Sequence, residues 1–414
     1  MRTRQAILLL SALAWLATGL GCATQRVGYG STPVIQAEGE IPEDQLLQVG
    51  IAPFDPGIPE EEEEEVVDDD AMIFPEVRKA ESRFIPYQLK TTLQRTGQWG
   101  AVRLSPVSVR AIDVAVTGEI LDSNGEVLEV AISVIDATGR TWFEQNYQGT
   151  VDSSSYVVSP GSDGDPFQDL YNRIANDMLS ARLGLTEDEI LEIRRVSSLK
   201  FAADIAPNSF SSHLEVDPDG RTVIRRLPAV DDPMFVRVEQ IRERDDMLVD
   251  TLNEYYADFH MGMGGPYRKW RAFAYEELVA LRKLKRDANI RLVAGAVAII
   301  GGIALATVGA PVPIELLSAP LVAGGTLALK SGWELRSETL IHAEAVRELG
   351  RSFESDVTPR VVEVEGRTLK LSGSAETQYQ DWRRMLHEIY LSETGFSEPQ
   401  DSSDAPRPAG ASSH

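Results

Sequence analysis

One cysteine, Cys22, occurs in this chain of 414 residues. A lone thiol cannot close an internal disulfide, so whatever folds must be held by buried apolar surface. With 43% apolar residues the chain has material for such cores, and its length suggests two or three domains. The thiol follows an export signal. Met1-Arg-Thr-Arg4 supplies a positive opening, Ala6 to Leu20 is uncharged and rich in Ala, Ile, Leu and Trp, and Gly19-Leu20-Gly21 places small residues before the sulfur.

Residues 19–22 resemble the lipobox of bacterial lipoproteins, with Gly19 where that family usually carries Leu. The resemblance implies a diacylglycerol on Cys22 and cleavage just before it. A signal peptide with an incidental cysteine, or an uncleaved anchor, are the alternatives. Ala23, rather than Asp, follows the thiol, which by that family's sorting signals implies delivery to the outer rather than the inner membrane, where the periplasmic face is the expected side. The lipid would then be the membrane attachment. No other cofactor is expected.

Loss of residues 1–21 removes Arg2 and Arg4 and takes the net charge from −24 to −26. So acidic a chain repels nucleic-acid phosphates, and no nucleic-acid partner is expected. The histidines His213, His260, His342, His387 and His414 include no pair at three- or four-residue spacing, so zinc-ligand spacing is absent.

The chain reads as α+β. After the signal (1–21) and a Gly/Ser/Thr/Pro/Gln-rich tether (22–45), residues 46–183 alternate as a small α/β module. Its elements are a strand around Leu47–Phe54, a helix from Phe74 to Gly97, a strand at Val102–Ser105, strands at 113–122, 127–137 and 141–151, and a helix from Pro166 to Leu183. Gly125 and Gly139 close the two turns between the long strands. The segments Val49-Gly-Ile-Ala-Pro-Phe54, Leu89 to Trp99, Asp113-Val-Ala-Val-Thr-Gly118 and Val130 to Gly139, in that order, resemble the periplasmic anticodon-binding-domain-like modules of the curli secretion lipoprotein, the Tol-system periplasmic protein and the lipoprotein activators of peptidoglycan synthases. The resemblance covers about a third of the chain. It implies a fold and a compartment, not a pore, because paired amphipathic membrane strands are missing.

Residues 184–358 read as a helical domain. A capped helix runs from Thr186 to Ala206, a hairpin surrounds Asp217-Pro-Asp-Gly220, and an apolar stripe through Val238, Ile241, Leu248, Leu252, Tyr255 and Phe259 marks a helix. Gly262, Gly264, Gly265 and Pro266 are expected to break it, with a second helix starting near Tyr267. That helix and a returning one from Glu315 to Ser355 form a long α-helical hairpin with its Gly/Ala-rich apolar tip at 311–313. A β-hairpin plus helix (359–396) and a disordered tail (397–414) complete the chain.

Leu292 to Leu329 contains one charge, Glu315. On its first arm Ala294, Ala298, Gly302, Ala306 and Ala310 recur every four residues, a small-residue stripe that admits a close helix neighbour and predicts self-association into a homo-oligomer. Burial in a helical assembly and shallow insertion into a membrane both remain open. A single crossing is disfavoured, because Arg282, Lys283, Lys285, Arg286 and Arg291 would lie on the exported side.

Catalytic motifs are lacking. The run Glu60 to Asp70, nine carboxylates in eleven positions, lacks the alternation and glycine of a calcium loop and reads as a solvated loop. No Gly-x-Ser-x-Gly elbow accompanies Ser153-Ser-Ser155, and Gly262 to Gly265 lack the Lys-Ser/Thr of a phosphate loop. The aromatics Tyr255, Tyr256, Phe259, Tyr267, Trp270, Phe273 and Tyr275 read as helix-junction core, with a peptide or glycan groove as the alternative. The expectation is a non-catalytic lipid-anchored scaffold or accessory protein that binds envelope proteins. A transport or pore subunit with a membrane-inserted tip is the alternative.

Overall fold

The computed structural model describes residues 32–58, 74–105, 111–156, 164–306, 348, 360–364, 367–371 and 374–394. Cys22, most of the tether, the Glu60–Asp70 run, Ala310, the 311–313 tip, nearly all of the returning arm and the tail lie outside these residues.

A five-stranded sheet has the order β2-β1-β3-β4-β5, built from β1 (Val49–Ile51), β2 (Val102–Leu104), β3 (Val114–Ser123), β4 (Val127–Asp136) and β5 (Thr141–Thr150). β1 runs parallel to both β2 and β3, and β3, β4 and β5 form an antiparallel meander. Period-two alternation sets its faces. Leu128, Val130, Ile132 and Val134 of β4 are buried, whereas Glu129, Ala131, Ser133 and Ile135 between them are not. The core face packs against helices α1 (Pro75–Thr96) and α2 (Gln168–Leu183), through Phe84, Ile85, Leu89, Leu170, Ile174 and Met178. Gly97 ends α1 in the left-handed conformation (φ 64°). The Asn124 side chain accepts the Glu126 and Val127 amides at 3.1 and 2.9 Å, closing the first long hairpin.

Helix α3 (Glu187–Ile205) opens on a capping box: Glu189 donates its amide to Thr186 Oγ1 at 3.3 Å, and Glu189 Oε2 accepts the Thr186 amide at 2.9 Å. The hairpin β6 (Leu214–Val216) and β7 (Thr222–Ile224) turns at Asp217–Gly220. The hairpin β8 (Arg360–Val364) and β9 (Arg367–Leu371) leads to helix α5 (Ala375–Thr394). One hydrophobic core joins residues of the sheet, α1, α2, α3 and α5 to those of the helix between the two hairpins.

That helix corrects an expectation. α4 runs unbroken from Pro233 to Ala306, 74 residues, straight through Gly262, Gly264, Gly265 and Pro266. Pro266 costs about 3 kcal/mol in a helix interior and each glycine about 1. Against this, Tyr256, Phe259, Met263, Tyr267 and Trp270, spaced three or four apart across the breakers, are all buried. Burying such side chains stabilises by about 1.5–3 kcal/mol each, which outweighs the local penalty. Packing holds the helix where propensity would end it.

Candidate functional site

Of the aromatic junction, Tyr256, Phe259, Tyr267 and Trp270 are buried in the core, and Tyr255, Phe273 and Tyr275 are half-buried. His260 stacks on Phe84 (centroids 4.3 Å apart, 14° between planes), Tyr267 stacks on Trp270 at 5.7 Å, and Phe74 meets Trp270 edge-on. Polar groups are threaded through it. Glu81, fully buried, accepts from the Tyr267 hydroxyl and from Ser123 Oγ at 2.5 Å. The buried Arg271 pairs with Asp165 at 3.1 Å and lies over the rings of Tyr267 and Phe167. These contacts lock α4 onto α1 and the start of α2.

The sheet's opposite face carries an opening. Arg103, Gly50, Ala115 and Ile135 are register partners across four neighbouring strands, so they form one row. Gly50 and Ala115 in the middle leave space, and α3, α4 and α5 close over that row around a cleft of about 850 Å³.

Its walls are charged. On the β2 side, Arg103 clamps Asp250 with two bonds of 2.6 and 2.9 Å and reaches Asp246 at 3.4 Å. On the α5 side, the buried Asp245 accepts from Trp382 Nε1 at 3.2 Å and the Tyr379 hydroxyl at 3.1 Å, and pairs with Arg383 at 3.3 Å. Burial raises the Asp245 carboxyl pKa despite Arg383 and those two donors. Arg383 also pairs with Asp204 and lies 4.8 Å from the Phe201 ring centre. Arg242 approaches the same ring at 5.6 Å and donates to Ser198 and Ser197 at 2.9 and 3.0 Å. Lys200 completes the wall. Burial lowers its pKa, with Asp136 opposing. Asp136 accepts from Thr138 Oγ1 at 2.5 Å and Trp142 Nε1 at 3.0 Å.

This constellation positions charge. His213, His260 and His387 are bonded to the Arg226 carbonyl, the Gln88 side chain and the Ile205 carbonyl respectively, and none lines the cleft. Among the described residues no cluster of His, Cys, Asp and Glu is arranged to hold a metal. Among the same residues no helix is long and apolar enough to cross a membrane.

Of the residues singled out by sequence, Ala294, Ala298, Gly302 and Ala306 lie on the backbone of α4 at four-residue spacing, and Cys22 and Ala310 lie outside the described residues. Arg103, Lys200, Arg242, Asp245 and Arg383 were not legible as a set, because β2, α3, α4 and α5 contribute them from far apart in the chain. One trace was readable: Asp245 falls between Ile241 and Leu248 at apolar-stripe spacing, a carboxylate where an apolar residue is due. Comparison with protein-family models, curated proteins and solved structures returned no match.

Proposed function

We propose that this chain is a lipid-anchored, non-catalytic protein of a bacterial envelope, held by acyl chains on Cys22 at the periplasmic face of the outer membrane, where it binds other envelope proteins. The cleft carries this reading. Its 850 Å³ lie within the range that encloses a short peptide or small ligand, and its walls present charges fixed by ion pairs on an apolar floor. The strand-helix-strand-strand-strand-helix order supports kinship with the envelope modules that residues 46–183 resemble. The −26 charge that remains after loss of Arg2 and Arg4 keeps the body off anionic surfaces, leaving the lipid as its attachment. Crosslinking in the native envelope followed by mass spectrometry tests the reading. Specific envelope proteins are expected in the wild type and far fewer after Cys22→Ala. An identical set of nonspecific partners in both contradicts it.

Self-association through Ala294, Ala298, Gly302, Ala306 and Ala310 belongs to the same proposal. Gly302→Leu should abolish oligomers with circular dichroism unchanged; unaltered assembly removes the stripe. A second reading, a transport or pore subunit whose apolar tip enters a bilayer, draws support from the uncharged stretch 292–306, which ends the same continuous helix that lines the cleft. Carbonate extraction of membranes from a Cys22→Ala strain separates the two: release of the protein favours the scaffold, retention the inserted tip.

A further inference from the structure

We propose that the cleft binds the carboxylate of a ligand with an apolar body, and that Lys200 and Arg242 are the residues that hold it. This deepens the binding reading above and rests on it. Every other cation of the cleft is neutralised: Arg103 by Asp250 and Asp246, Arg383 by Asp245 and Asp204. Lys200 and Arg242 make no such close pair: Asp136 acts on Lys200, and Glu239, Asp246 and Asp113 act on Arg242, only from beyond 4 Å. Neither has a carboxylate within 4 Å among the described residues, and the guanidinium of Arg242 rests on two neutral serine hydroxyls and a phenyl face.

The two cations lie together. Arg242 is seated on Ser197, Ser198 and Phe201, and Lys200 shares that turn of α3, three residues from Ser197, a spacing that makes side chains neighbours. Both line the cleft. Most nearby carboxylates bond elsewhere: Asp246 pairs with Arg103, while Glu239, one turn before Arg242 on the same helix, keeps one buried oxygen without a partner. Asp136 accepts from Thr138 and Trp142, Asp245 from Tyr379 and Trp382, and Asp113 from the Gln48 amide at 2.9 Å. Lys200 therefore offers N–H donors with no acceptor among the described residues, and a half-buried ammonium balanced only by a carboxylate beyond 4 Å, that of Asp136, is held at a cost in stability. The occupant has to bring the acceptor. An ionised carboxylate matches a guanidinium and an ammonium on adjacent positions. The floor by contrast is apolar, with Gly50, Ala115 and Ile135 beneath and Val249 at the side, and it suits a hydrocarbon body. A peptide's C-terminus and a small organic acid share this chemistry.

Calorimetric titration of the full chain in detergent tests it, with three probes: acetyl-Ala-Val-Ala-Val-Phe, its C-terminal amide, and 4-phenylbutyrate. Binding of the free peptide, weakened tenfold or more as the amide and in Lys200→Met or Arg242→Met, supports a peptide terminus. Binding of 4-phenylbutyrate alone, lost in the same variants, supports a small acid. No binding by either carboxylate, equal binding of the amide, or binding unaffected by both substitutions overturns the proposal. Thermal unfolding gives a readout independent of ligand. Lys200→Met should melt at the wild-type temperature or a few degrees higher, because it removes a half-buried charge that no close ion pair balances. A markedly lower melting temperature would mean that Lys200 is a structural partner and would also overturn the proposal. Envelope crosslinking separates this claim from the wider one. Partners retained by Lys200→Met leave the scaffold reading standing without the carboxylate site, whereas the absence of partners from the wild type removes the scaffold reading itself.

Discussion

Asn253 of α4 replaces a neighbouring strand for Leu104 of β2. Its Oδ1 accepts the Leu104 amide at 2.8 Å and its Nδ2 donates to the Leu104 carbonyl at 3.0 Å, with a second bond to the Val249 carbonyl at 2.8 Å. β2 is an edge strand, and its outer backbone groups would otherwise stand unpaired next to a buried helix. A side-chain amide, with one donor group and one acceptor on a planar unit, reproduces what a strand would offer. The clamp of Arg103 on Asp250, one helical turn away, fixes the same junction. This junction holds α4 along the sheet and so forms one wall of the cleft.

Asn253→Leu should therefore destabilise the fold by about 2–3 kcal/mol, since it leaves a buried N–H and C=O unsatisfied while keeping the side-chain volume. Urea unfolding measures this. Asn253→Asp should also destabilise, because it keeps the acceptor and loses the donor to the Leu104 carbonyl.

Asp245 ties α4 to α5. Asp245→Ala removes the partner of Tyr379, Trp382 and Arg383 and should cost about 3 kcal/mol, with α5 loosened first. Hydrogen exchange along Ala375–Thr394 checks it: faster exchange there than in α1 is expected.

Burial pushes His260 down to about 4, below its usual 6.5, with Asp165 opposing. The unfolded chain therefore binds a proton over pH 4–6.5 that the folded chain does not, and stability from this group is lost as pH falls through that window. The buried carboxyls Asp113 and Asp245 and the partly buried Asp122, Glu239 and Asp246 are shifted upward by desolvation and act in the opposite sense. The difference between wild type and His260→Phe isolates the histidine. Relative to the variant, the wild type should lose stability steadily between pH 6.5 and 4, read by thermal unfolding at half-unit steps.

Glycines in α4 and at its sheet contact should respond in opposite directions. Gly264→Ala and Gly265→Ala each place a methyl group in open space within a helix and should stabilise by about 0.5–1 kcal/mol. Gly125 has φ +84°, and a Cβ there would lie 2.4 Å from the Arg271 carbonyl oxygen and 2.9 Å from the Tyr275 amide nitrogen. Gly125→Ala should lower stability by about 2 kcal/mol or more, because the hairpin turn would be forced off α4. Melting temperatures of the three variants decide this.

The sheet and most helices were legible because their signals are local: alternation in β4, Gly97 after α1, Thr186 before α3, Asn124-Gly125 at a turn. The continuity of α4 was not, because Met263, Tyr267 and Trp270 hold it through burial against residues almost two hundred positions earlier, such as Phe74 and Phe84. The cleft was hidden for the same reason. Lys200 and Arg242 look like ordinary surface charges until α3 and α4 are laid against the row through Gly50, and only Asp245, out of step with its apolar neighbours, hinted at a polar interior.

Intact-mass spectrometry of the protein isolated from its native membrane decides whether acyl chains on Cys22 hold it there. The expected species is a polypeptide beginning at Cys22 and carrying the added mass of acyl chains on that residue. An unmodified thiol with Met1 still present would contradict it.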